Sequence, residues 1–125
     1  MTVSVIIPNF NGKILLEQNL PRLISAVGKS QIIIVDDAST DGSQEFIKSK
    51  YPWVTLIEKV TNSGFATCIN LGVKAATGEI VVLLNTDVVP RQDFLSPLLA
   101  HFREPNVFAV GCIEKSVEQG KTVYR

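Results

Sequence analysis

The stretch Ile32-Ile33-Ile34-Val35-Asp36-Asp37-Ala38-Ser39-Thr40-Asp41-Gly42-Ser43 decides the fold. Four β-branched residues without polar alternation, closed by two carboxylates, read as a strand buried on both faces. That is how strands of a parallel sheet look. A second run of the same kind, Ile80-Val81-Val82-Leu83-Leu84, ends in Asn85-Thr86-Asp87. In open α/β sheets ligands bind outside the carboxyl ends of the strands. Both runs therefore deliver acidic, polar side chains to the edge where a ligand sits. Carboxylates gathered there suit a divalent cation with a phosphorylated ligand better than a bare anion, which they would repel.

Working outward, Val3 to Ile7 reads as a first strand, closed by Pro8 and the turn formers Asn9, Asn11 and Gly12. Ile14, Leu15, Leu16, Leu20, Leu23, Ile24 and Val27 follow at helical spacing, with Pro21 expected to kink or split that helix. Ser43 to Lys50 predicts a second helix, Val54 to Ile57 a third strand, and Phe65 to Ala76 a third helix. Glu79 to Leu84 is the next strand. After Pro90, Asp93 is expected to cap a helix running to about Phe102. Val107 to Val110 and Lys121 to Tyr124 read as further strands. This alternation predicts an α/β fold, a mainly parallel sheet with helices on both faces.

The 125 residues have room for one domain, and a hydrophobic fraction of 46% can fill its core. Twelve basic and twelve acidic residues give a formal net charge of +0, which offers no support for nucleic-acid binding or a membrane-surface patch. Cys68 and Cys112 are too few for a disulfide scaffold and, lying in apolar segments, are expected to be reduced core residues. The start has neither a basic region nor a long apolar core, and no apolar stretch has the length of a membrane span. A cytoplasmic protein is the expectation.

Each cluster has a plain reading beside a functional one. Asp36-Asp37 is a polar stop on a strand, or a pair of acceptors that selects a heterocycle N–H or ribose hydroxyls. Asn85 and Asp87, at i and i+2 on an extended segment, would point the same way and approach one Mg²⁺ or Mn²⁺, held weakly without phosphates because only Asp87 is charged. In Asn62-Ser63-Gly64-Phe65-Ala66, Gly64 permits close backbone approach and the helix start offers free N–H groups. The plainer alternative is a tight turn with Asn62 or Ser63 as N-cap. Asn70, a poor helix former, is expected to bond a neighbouring loop. Phe10, an aromatic among turn residues, is either a surface for a base to stack on or a lid over the sheet edge. His101 reads as a surface residue, and Trp53 as packed against the helix before it.

The ordered set of clusters resembles family 2 glycosyltransferases, whose nucleotide-sugar-binding fold is called GT-A, a Rossmann-like arrangement. The matching text is Val3-Ser4-Val5-Ile6-Ile7-Pro8-Asn9-Phe10-Asn11-Gly12, Val35-Asp36-Asp37-Ala38-Ser39-Thr40-Asp41-Gly42-Ser43, Asn62-Ser63-Gly64-Phe65-Ala66, Asn70-Leu71-Gly72, Ala76-Thr77-Gly78-Glu79 and Leu83-Leu84-Asn85-Thr86-Asp87. The resemblance implies a nucleoside-diphosphate-sugar donor site with Pro8, Asn9, Phe10, Asn11, Asp36, Asp37, Gly64 and Asn70 as nucleotide-binding candidates. Phe10 would stack on the base and Asp37 would accept from the N3–H of a uracil or thymine. Asn85-Thr86-Asp87 takes the place of the family's DxD metal motif, with Asn85 and Asp87 as ligands of Mn²⁺ or Mg²⁺. Asn at the first position looks like the variant of rhamnosyltransferase-like members, implying a UDP- or dTDP-linked donor.

The family's inverting members carry their catalytic base well past the metal motif, in the acceptor half. The expectation is thus one GT-A-like domain over 1–125, truncated at its C-terminus, with the base beyond Arg125 and no transfer by this part alone. The acceptor would be a saccharide or lipid-linked hydroxyl, as in cell-envelope polysaccharide synthesis, with the full protein peripheral at the inner membrane face and self-association through uncovered apolar surface. Two rival readings fit less well. A phosphoacceptor signalling domain wants its acidic pair after the first strand and a Lys after the fifth. A nucleotidyltransferase wants a first loop rich in Gly, Arg and Lys, where this chain has Pro8-Asn9-Phe10-Asn11-Gly12-Lys13.

Overall fold

The computed structural model describes Met1–Arg125. The chain divides into two compact units, Met1–Gln92 and Asp93–Arg125. In the first, the elements run β1 (Val3–Asn9), α1 (Lys13–Val27), β2 (Gln31–Asp36), α2 (Ser43–Lys50), β3 (Thr55–Glu58), α3 (Phe65–Ala75) and β4 (Ile80–Leu83). The sheet order is β3-β2-β1-β4 and every pairing is parallel, as the unalternating apolar runs predict.

Central strands explain the composition. Val5, Ile6 and Ile7 of β1 and Ile32 to Val35 of β2 are buried, because both faces of these strands are covered. Side chains alternate across a strand. Ile6, Ile33 and Val35 accordingly share one face with Cys68 of α3, and Ile69, Leu71 and Ala75 pack against them. The approach is close: a Cβ on Gly72 of α3 would lie 2.4 Å from Ile6 Cγ2. Val5, Ile7, Ile32 and Ile34 point to the other face. Right-handed crossovers place α1 and α2 there, and α1 buries Leu16, Leu20, Leu23, Ala26 and Val27. The sheet's edges are more open, and Leu83 on β4 is 50% exposed.

Two expectations are corrected here. Pro21 neither splits nor ends α1, which runs unbroken from Lys13 to Val27. Pro21 faces solvent, where water can take up the carbonyl it leaves unbonded, and buried leucines on both sides of it hold the helix to the sheet. Trp53 is 56% exposed; it meets Tyr51 edge-on, and Tyr51 in turn meets Phe46 of α2. Gly64 has a φ of 90°, a conformation that favours glycine, and no protein atom lies within 4 Å of where a Cβ would be.

The second unit holds α4 (Leu95–His101) and an antiparallel hairpin of β5 (Lys115–Glu118) and β6 (Lys121–Tyr124). Val107 to Val110 is not a strand, since no neighbour pairs with it. The partner of β6 is instead the polar segment Lys115–Glu118, closed by Gln119 and Gly120 at positive φ. The N-cap position of α4 is Phe94, one residue past the Asp93 expected there, and the Phe94 side chain makes no cap. Cys112 is exposed, against expectation, whereas Cys68 is buried. No helix is long and apolar enough to cross a membrane.

Candidate functional site

A parallel sheet whose chain reverses winding direction opens a crevice at the carboxyl ends of its strands. Here β1, β2 and β3 run outward in order, and α3 then returns the chain to β4 on the other side of β1. The reversal leaves a cleft of about 320 Å³ lined by Pro8, Asn9, Phe10, Leu15, Asp37, Phe65, Cys68, Asn85, Thr86 and Asp87. Of the candidates, Pro8, Asn9, Phe10, Asp37, Asn85 and Asp87 meet in this one lining. Asn11, Asp36, Gly64 and Asn70 lie outside it.

Asp37 is the centre of the cleft's polar side. It is 4% exposed. Its Oδ1 accepts from Lys59 Nζ at 2.6 Å and from the Ser63 amide at 2.9 Å; its Oδ2 accepts from the Gly64 amide at 2.9 Å. Lys59 also donates to the Ser63 hydroxyl. The Lys59 bond, outweighing the burial that pushes the other way and aided by both amides, holds the Asp37 carboxyl down at about 2. This pair of amide bonds, not an Asn62 or Ser63 side chain, fixes the turn into α3, whose N-cap is Gly64.

Asp36 is fully buried and faces away from the cleft into the fold. Its oxygens accept from Asn9 Nδ2 (2.8 Å), the Ser39 amide (2.9 Å) and Gln44 Nε2 (2.6 Å), so it ties the end of β1 to α2. Those bonds also orient the Asn9 amide, because a carboxylate only accepts. Asn9 Oδ1 is left without a partner, against Gly12, where a Cβ would come within 2.4 Å. Asn11 exchanges bonds with the next loop: its amide donates to Ser39 Oγ and its Oδ1 accepts from the Thr40 amide. Asn70 stands on the exposed side of α3 and does not reach a loop.

On the opposite wall, Asn85, Thr86 and Asp87 do not form the extended segment their spacing suggested. The Val88 amide donates to the Asn85 carbonyl, which makes Asn85–Val88 a turn. Asn19 Nδ2 anchors that turn through the Thr86 carbonyl at 2.8 Å. No group of three His, Cys, Asp or Glu side chains gathers in the chain. What the turn offers is one carboxylate, one amide oxygen and one hydroxyl, a hard-oxygen set that fits Mg²⁺ or Mn²⁺ only when phosphate and water complete the shell. Phe10 and Phe65 leave the cleft's aromatic surface open, at 55% and 58% exposure. Cys68 lies at the cleft's base, its thiol pushed up by burial and by the Asp37 charge.

The sequence reading missed Lys59 and the lining roles of Leu15, Phe65 and Cys68. Phe65 stood inside a quoted motif, and an aromatic at the first turn of a helix after Gly64 was its available signal. Lys59 had none, because its contact depends on the pairing of β2 with β3.

The sequence profile of "Glycosyl transferase family 2" matches residues 4–125. The chain is similar to the dolichol-phosphate mannosyltransferase of Pyrococcus furiosus, 30% identical over 97% of this chain and 35% of that protein. Among solved structures it is similar to the mannosyltransferase PcManGT from Pyrobaculum calidifontis in complex with GDP-Man and Mn²⁺, with a TM-score of 0.76 and 32% identity over 84% of this chain and 33% of that one. It is also similar to S. aureus TarS in complex with UDP-GlcNAc, with a TM-score of 0.72 and 26% identity over 83% of this chain and 32% of that one. The chain thus spans about a third of these relatives' length. With a parallel GT-A-type sheet, a cleft at its switch point and a family match over nearly all residues, the chain belongs to glycosyltransferase family 2.

Proposed function

We propose that this chain supplies the donor half of a glycosyltransferase that moves a sugar, with inversion, from a UDP- or dTDP-sugar to an acceptor hydroxyl. The observation that carries the choice of base is the occupancy of Asp37. A carboxylate has about four acceptor positions. Lys59, Ser63 and Gly64 fill three of them, and beside Oδ2's remaining position stands only the Cys68 thiol, a weak donor that a base N–H can displace. Uracil and thymine offer a single N3–H between two carbonyls, which suits one acceptor. Guanine offers adjacent N1–H and N2–H donors, which suit two. At the equivalent ring position adenine has only a lone pair. The exposed Phe10 ring supports stacking, which every base can use and which therefore adds affinity without choosing among them.

At the other end of the cleft, Asn85 and Asp87 are assigned to hold Mn²⁺ or Mg²⁺ together with the donor's diphosphate. When bound, the cation supplies Lewis-acid stabilisation of the leaving diphosphate. The rest falls to the chain: Phe10 and Asp37 fix the nucleoside, and the turn at Asn85–Val88 sets where the diphosphate lies. Two acids line the cleft, Asp37 and Asp87. The first is taken up by its three donors and the second by the cation. The base that removes the acceptor's proton is therefore assigned outside the lining. The acceptor proposed is a saccharide or lipid-linked hydroxyl, and the likeness to a dolichol-phosphate enzyme supports the lipid-linked class.

The test is calorimetry with UDP, dTDP, GDP and ADP in the presence of Mg²⁺. UDP and dTDP are expected to bind about one to two decades more tightly than GDP and ADP, the weight of one charge-assisted hydrogen bond. Asp37→Ala should remove the difference. Equal affinities for all four in the parent protein would overturn the base assignment.

A further inference from the structure

Lys59 follows β3, outside the cleft lining, yet it is among the most enclosed cations in the chain. Its side chain is 10% exposed and that of Asp37 is 6% exposed. Three contacts fix its path. Its amide donates to the Asp36 carbonyl at 2.9 Å, which extends the β2–β3 pairing one residue past β3. Its Nζ lies 2.6 Å from Asp37 Oδ1 and also donates to the Ser63 hydroxyl. Holding a long flexible side chain in one buried geometry costs conformational entropy and desolvation. A polar stop on a strand needs no such partner, so the arrangement asks for a use.

We infer that Lys59 is a specificity-determining residue for the donor's base, acting by filling Asp37 Oδ1 so that the carboxylate presents one acceptor position instead of two. The inference rests on the base-reading role proposed for Asp37 and deepens it. With Lys59 in place, a base bearing one imide N–H finds its match on Oδ2. A base bearing two adjacent donors must leave one of them unpaired against an oxygen already bonded to an ammonium, and an unpaired buried donor is what a polar site rejects most strongly. Without Lys59, Oδ1 keeps only the Ser63 amide, and the carboxylate can accept from guanine's N1–H and N2–H together.

The experiment compares the UDP to GDP affinity ratio of the parent protein with that of Lys59→Met and Lys59→Arg, by calorimetry at fixed Mg²⁺. Lys59→Met is expected to shrink the ratio about tenfold, the weight of one hydrogen bond to a charged acceptor, chiefly by strengthening GDP. Lys59→Arg, which keeps a donor on Oδ1, is expected to retain the parent ratio. Should the Met variant unfold, Lys59→Ala serves the same comparison, because water fills the space and guanine can displace it. A selective parent whose Met or Ala variant is equally selective would overturn the inference and leave the Asp37 reading intact. An unselective parent would overturn both.

Discussion

At the residue scale, Asp37 keeps its charge nearly out of water because one cation and two backbone amides converge on it. Its folded pKa of about 2 lies below the ordinary 3.8. A carboxyl with a depressed folded pKa adds stability that is complete above its unfolded pKa and is lost as the pH falls through the folded one. Asp37's share is thus present at neutral pH and disappears between 3.8 and about 2. Urea midpoints followed by circular dichroism should fall across that window, and Asp37→Asn, though less stable at neutral pH, should fall less steeply there. A variant that tracks the parent's slope would contradict this origin. Asp87 supports a second expectation. One carboxylate with neutral neighbours holds a cation poorly until phosphate oxygens join it, so metal and nucleotide must strengthen each other reciprocally. Mg²⁺ is expected to raise UDP affinity on the order of tenfold, within the usual range of such coupling, and Asp87→Ala to abolish the gain. Calorimetry with and without chelator checks it, and a chelator-insensitive parent would be the contrary result.

At the scale of elements, Asp41 joins two helices. Its Oδ2 accepts from the Lys13 amide at the start of α1, and its Oδ1 accepts from the Ser43 amide and hydroxyl at the start of α2. Burial raises its carboxyl, but those bonds outweigh burial and the net shift is downward. Asp41→Ala removes caps from both helices and is expected to cost about 2 kcal/mol, roughly one for each cap. Denaturant unfolding checks it, and a cost no larger than that of an ordinary surface change would contradict the double cap.

These elements also show what the sequence could disclose. The run Ile32 to Val35 announced a parallel strand because burial on both faces leaves no polar alternation; Ile80 to Leu84 reads the same way and does form a parallel strand, but at the sheet's edge, where it is only half-buried. The spacing of Leu16, Leu20 and Leu23 announced α1, since Pro21 falls on the solvent side of that stripe. Val107 to Val110 misled because an apolar run forms a strand only if a neighbour pairs with it. The polar Lys115–Glu118 hid its strand because a two-stranded hairpin has no face buried by helices. Asn85 and Asp87 were legible as cleft residues but not as part of a turn, which the Val88 amide sets. Lys59 was illegible for a different reason: a lysine after a strand looks the same whether it is solvated or buried against a carboxylate 22 positions away.

At the scale of the molecule, the site depends on topology. Because the chain passes from β3 across to β4, segments from Pro8 to Asp87 meet at one end of one sheet. The polar contacts of Ser4, Gln31 and Gly78 lie at the opposite, amino end, where they close the sheet and stand outside the cleft lining. The central claim is that the residues at the carboxyl ends of β1, β2 and β4 form one donor-nucleotide site. The most direct measurement is an amide chemical-shift titration of the ¹⁵N-labelled protein with UDP and Mg²⁺. Phe10, Ser63, Gly64, Asn85 and Asp87 are expected to shift along one binding curve with a single dissociation constant, while Ser4, Gln31 and Gly78 stay in place. Shifts confined to the amino ends of the strands, or separate curves for the Asp37 and Asp87 sides, would contradict it.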